Sequence, residues 1–121
     1  MDEAERAFHR DMVNGGEVLK REIGYSPTRF NQMVARHGGI AAARVLLRGP
    51  DASDGFTTLW EHRRLDRSVE AYVLLPWYEN LFTEEERRVA KERLQQHGFD
   101  VLGFLRAAEQ SAPPWSEGRD K

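Results

Sequence analysis

Apolar residues recur along the chain at helical rather than strand spacing. Phe8, Met12, Leu19 and Ile23 fall at intervals of 4, 7 and 4, which puts them on one stripe of a helix over residues 2–23. Asn14, Gly15 and Gly16 interrupt that stripe. Two adjacent glycines cost about 2 kcal/mol of helix propensity, so a weakened or kinked helix is expected; the alternative is another element packed close against the bare backbone. Gly24 supplies a left-handed stop after Ile23. Ser26-Pro27 opens a second helix, serine as cap and proline at the first helical position, with Phe30, Met33 and Val34 following at helical spacing. Gly38 and Gly39 end it. A third helix runs from Ile40 to Leu47, and Ala41, Ala42 and Ala43 let it approach its neighbours closely.

The second half of the chain is denser in helix punctuation. Gly49-Pro50-Asp51 is a turn. Ser53 or Asp54 caps a fourth helix carrying Phe56, Leu59 and Trp60, and His62-Arg63-Arg64 sets cationic groups at its carbonyl end. Asp66 or Ser68 caps a fifth helix with Val69, Tyr72, Val73 and Leu74, which Pro76 stops. Trp77, Tyr78, Leu81 and Phe82 form an aromatic corner folded onto the core. Thr83-Glu84-Glu85-Glu86 reads as a capping box, with its acids at the positive helix end. That helix closes at His97-Gly98, where Phe99 fits a Schellman stop on Leu94. Asp100 caps a last helix with Val101, Leu102, Phe104 and Leu105. No stretch shows strand alternation. The expected fold is all-α, a compact orthogonal bundle of five to seven short helices, with residues 1–110 as a single domain and 111–121 as a disordered tail.

Composition narrows the function classes. At 121 residues the chain suits one domain with one core. It has no cysteine, which excludes disulfides, thiolate catalysis and Cys-based zinc sites. No apolar run approaches the roughly 20 residues that span a bilayer, and the acidic start Met-Asp-Glu-Ala-Glu-Arg is unlike a signal peptide. A cytoplasmic protein with no membrane span is expected. No nucleophile elbow, phosphate loop, cofactor motif or His-Glu-x-x-His occurs, so no cofactor or metal is expected, and a non-enzymatic role is favoured.

Gly24-Tyr25, Pro27-Thr28-Arg29-Phe30, Met33-Val34, Gly38-Gly39, Leu46-Leu47, Gly55-Phe56, Leu59-Trp60-Glu61, Arg64-Leu65-Asp66, Val69-Glu70, Leu81-Phe82-Thr83, Glu86 and Arg93-Leu94 occur in this order. With this pattern the chain resembles a group of short bacterial all-helical proteins that have no established activity. The resemblance spans residues 25–98. It implies a helical fold and carries no catalytic or ligand residue.

Charge is distributed unevenly. Residues 25–48 hold Arg29, Arg36, Arg44 and Arg48 with His37 and no acid. The rest of the chain carries all 20 acids against the other 14 of the 18 bases, a balance of −6. The favoured reading is an accessory or interaction module that binds a protein partner through this arginine-bearing helical face. The alternative is a helix-turn-helix-like nucleic-acid-binding protein using the same unit, although such domains are usually basic overall. The bland reading is a solvated helix pair whose arginines bridge to acidic helices elsewhere. A third reading places a carboxylate- or metal-dependent hydrolase at Glu61, Asp66 and Glu70, against which stand simple structural roles as helix caps and ion-pair partners. His9, His37, His62 and His97 lack ligand spacing. The aromatics read as core before they read as a ligand groove. Trp115, alone in a polar Pro-rich tail, is a candidate to dock on the domain or on a partner. A homodimer is compatible with all of these readings.

Overall fold

The computed structural model describes residues 2–116. Among them the chain forms seven α-helices and three short 3-10 turns, with no strand: α1 (Glu3–Ile23), α2 (Thr28–His37), α3 (Gly39–Arg48), α4 (Asp54–Glu61), α5 (Val69–Val73), α6 (Glu84–Gln96) and α7 (Val101–Glu109). The turns are Leu65–Arg67, Pro76–Leu81 and Pro114–Ser116. The all-α bundle expected from the sequence is the fold. No described helix is long and apolar enough to cross a membrane.

Helix α1 lies against α2, α3 and the Pro76–Leu81 turn, while α6 packs on α3 and α5. Phe8 of α1 is fully buried between Tyr78 and Phe82, each ring 5.1 Å away in edge-on contact. Met12 and Leu19 continue this stripe into the core, and Ile23 is half-buried. Gly39 lets α1 and α3 cross closely, since a Cβ there would sit 3.0 Å from the backbone Cα of His9. The first amide of α3 is capped from a distance: Gly39 N–H donates to His9 Nδ1 at 3.1 Å, satisfying a donor that the helix itself leaves unpaired.

The glycine pair does not break α1. The helix runs unbroken through Gly15 and Gly16, because a neighbour supports it: a Cβ on Gly16 would lie 2.8 Å from Asn31 Oδ1 of α2. Tertiary packing overrides the propensity penalty here. Helix α2 starts without a side-chain cap, so Ser26 does not serve as one.

The later caps are local chemistry. Ser53 accepts from Phe56 N–H at 3.1 Å, Ser68 from Ala71 N–H at 3.1 Å and Asp100 from Gly103 N–H at 3.0 Å. Thr83 and Glu86 form the reciprocal capping box. Gly98 (φ 75°) completes the Schellman stop of α6, with Phe99 N–H donating to Leu94 O at 3.0 Å. The same hydrogen-bond pattern ends α4 on a non-glycine residue: Arg63 sits at φ 59°, and Arg64 N–H reaches Leu59 O at 2.7 Å.

The segment after α7 is tied down as far as it is described. Pro114–Ser116 makes a turn in which Ser116 is buried, and Trp115 lies 6.2 Å from the Tyr78 ring. Within the expected tail, then, Trp115 docks on the domain, because the buried Tyr78 ring offers it an apolar seat. Residues 117–121 lie outside the described residues.

Candidate functional site

A cleft of about 740 Å³ opens between α1, α2 and α4, within the range typical of ligand sites. One wall is a stripe of α1 containing Asp11, Met12, Gly15 and Leu19. The opposite wall is α2, presenting Arg29, Phe30, Met33, Arg36 and His37. The start of α4 and the corner leading into α5 close the remaining sides, through Phe56, Leu59, Val69, Glu70 and Tyr72. The floor is mostly apolar because these positions are the inner edges of amphipathic helices that meet at an angle and leave a gap.

The five candidate basic residues divide into two groups. Arg29, Arg36 and His37 are exposed on the cleft rim. Arg29 and Arg36 make no hydrogen bond or ion pair among the described residues. Arg44 and Arg48 turn the other way, toward α6. Arg44 lies 3.4 Å from the buried Glu86 carboxylate, donates to Leu81 O at 2.9 Å and covers the Phe82 ring. Arg48 lies 3.9 Å from the same carboxylate. The four arginines therefore share no single face. Helix α3, which a helix-turn-helix protein would insert into a groove, buries Ala42, Ala43 and Leu47 and directs Arg44 and Arg48 at Glu86.

The three candidate carboxylates are not brought together. Glu61 is exposed at the end of α4. Asp66 does not cap α5, a role taken by Ser68; it accepts from Arg64 Nε at 3.2 Å. Glu70 is buried at the back of the cleft. No group of three His, Asp or Glu side chains among the described residues is arranged to hold a metal ion. The hydrolase reading gains no geometric support.

Two polar clusters at the cleft were not legible in the sequence. The first is Glu70 with Arg93 of α6. Arg93 donates to Glu70 Oε2 at 3.4 Å, Leu46 O at 2.9 Å and Gly49 O at 2.5 Å. It thereby joins a buried acid to the carbonyl end of α3. Burial pushes the Glu70 carboxyl above its ordinary value, against the lowering effects of its own backbone amide and of Arg93. His97 stacks edge-on against Phe56 and Trp60 and donates from Nδ1 to Arg93 O at 2.8 Å. Trp60, expected in the core, is half-exposed on the outer side of this stack.

The second cluster joins Asp11, Tyr78, Tyr72 and Arg67. Tyr78 Oη donates to Asp11 Oδ2 at 2.5 Å, and Arg67 donates to Tyr72 Oη at 3.0 Å. Burial raises the Asp11 carboxyl, opposed by the Tyr78 hydrogen bond and by Arg10 and Arg67. Burial and the Asp11 hydrogen bond together raise the Tyr78 hydroxyl far above its ordinary value, so it stays protonated. With Glu70 held by Arg93 and Asp11 by Tyr78, the α2 rim presents unpaired positive charge, while Asp54 stands at the start of α4 on an adjoining side.

No family model, no curated protein and no solved structure matches the chain.

Proposed function

We propose that the chain is a non-enzymatic interaction module of the cytoplasm whose cleft receives an acidic, apolar-faced segment of a partner protein. The observation that supports this reading is the pairing of Arg29 and Arg36, exposed and without an ion-pair partner among the described residues, with the apolar cleft they border. The guanidinium groups steer and orient carboxylates on the partner, and the floor takes apolar anchors. Relative to the sequence expectation the surface contracts: Arg29, Arg36 and His37 remain in it, and Arg44 and Arg48 leave it for Glu86.

The test is selection from a phage-displayed random peptide library on the immobilised full chain. Enriched peptides are expected to place Asp or Glu beside Leu, Phe or Trp. Their binding is expected to be lost in the Arg29→Glu, Arg36→Glu double variant and kept in Arg48→Glu. Selection that yields no acidic, apolar consensus overturns the reading. A gel-shift titration separates the nucleic-acid alternative, for which duplex or single-stranded binding weakens steeply as salt rises.

A further inference from the structure

The fold accounts for only one glycine of the pair in the middle of α1. At Gly16 a Cβ would meet the terminal amide of Asn31 of α2 at 2.8 Å, a contact that a side chain there would displace. Gly15 has no such neighbour: a Cβ there would meet nothing within 4 Å. Its backbone conformation is ordinary helix, so no left-handed geometry calls for glycine. Every requirement of the helix favours a side chain at this position, yet the chain leaves it bare, and the bare backbone opens into the cleft wall facing α2.

Glycine where the fold does not need it is explained by something that must approach the backbone closely. We infer that Gly15 is the seat of the partner's apolar anchor: a Leu, Phe or Trp side chain lies flat against α1 at this residue while Arg29 and Arg36 take the carboxylates that flank it. The charge argument selects the occupant. Of the cleft's acids, Asp11 and Glu70 are engaged by Tyr78 and Arg93 and Asp54 stands apart at the start of α4, so the unpaired charge along the α2 wall, from Arg29 and Arg36, is positive and calls for an acidic segment. Met12 and Leu19 on the same stripe of α1, with Met33 across from them, supply the apolar contact on either side of the bare position. This inference rests on the interaction reading above and adds where the anchor sits.

The experiment uses the full chain and a fluorescein-labelled copy of a library-selected acidic peptide, followed by fluorescence polarisation and thermal unfolding. Gly15→Ala is expected to raise Tm by about 3–6 °C, because it improves helix propensity in open space, and to weaken peptide binding about tenfold or more, because the added methyl occupies the anchor's place. Gly15→Leu is expected to fold and to lose binding altogether. Asn14→Ala, exposed on the same helix, is expected to leave Kd unchanged. A folded Gly15→Leu protein that binds the peptide with the Kd of the parent chain overturns the assignment and leaves the interaction reading standing. Failure to recover any acidic peptide overturns both. If instead 8-anilinonaphthalene-1-sulfonate binds the parent chain but not Gly15→Leu, and no peptide is recovered, the cleft takes a small apolar acid and the partner-protein proposal is wrong.

Discussion

Replacing Arg93 by alanine strands the Glu70 carboxylate in the interior. The two side chains are 9% and 2% exposed, so solvent cannot replace the lost partner. Removing one member of a buried ion pair costs about 3–5 kcal/mol, since the remaining charge is left uncompensated. The carbonyls of Leu46 and Gly49 also lose their donor. Hydrogen bonds from a charged donor contribute about 1.5–3 kcal/mol, but this overlaps with the ion-pair figure and is not added to it. A loss of about 4 kcal/mol at pH 8 follows.

The loss should depend on pH, with a definite sign. Burial already holds the folded-state carboxyl of Glu70 above its ordinary value, and Arg93 opposes that rise. Without Arg93 the folded-state value climbs further. A group whose folded-state value exceeds its unfolded one contributes its full stability below the unfolded value, about 4.3. It loses that contribution as pH rises through the folded value. The variant therefore recovers part of its deficit at pH 5, by about 1.4 kcal/mol for each unit of additional shift sampled. Urea unfolding of Arg93→Ala and the parent chain at pH 5 and pH 8 measures this. Adding Glu70→Leu to Arg93→Ala should restore stability at pH 8, because it removes the stranded charge. A deficit that is the same at both pH values, and unaffected by the second substitution, would refute the argument and reduce Arg93 to a packing residue.

Two glycine-related predictions follow from the backbone. Gly39→Ala should destabilise by about 1–3 kcal/mol despite better helix propensity, because its methyl meets the His9 backbone, which cannot step aside; a thermal melt at or above the parent Tm would contradict the close crossing of α1 and α3. Arg63→Gly should raise stability by about 1 kcal/mol, as it removes the left-handed strain of a side-chain-bearing residue at φ 59°; denaturant midpoints decide it.

Features carried by adjacent residues were readable without coordinates. Thr83 with Glu86 and Gly98 with Phe99 each place a donor and an acceptor within a few positions, so local spacing determines the outcome, while Ser53 and Ser68 are each one of two cap candidates between which the structure decides. The end of α4 is readable from His62-Arg63-Arg64, but its left-handed stop is not, because Arg63 fills a place where glycine usually gives the signal. At Gly15-Gly16 the sequence leaves a weakened helix and a close neighbour both open, because the neighbour that lies against Gly16, Asn31, is fifteen positions further on. The candidate surface was half legible. Composition isolated the basic stretch, but only the packing of α6 on α3 decides that Glu86 takes Arg44 and Arg48 while Arg29 and Arg36 stay unpaired. Glu70 read as one more acid near a cap; its partner lies 23 positions away, beyond any helical spacing.

The ring of Tyr78 is touched from both extremes of the described chain, by Phe8 and Asp11 on one side and by Trp115 on the other. Such a clasp closes a loop that encloses nearly every helix, and chain entropy opposes it until the intervening pieces are already assembled. Neighbouring helices such as α2 and α3 can pair early, whereas this junction forms late in folding. It then binds the two ends into one cooperative unit, so that loosening either end loosens the other.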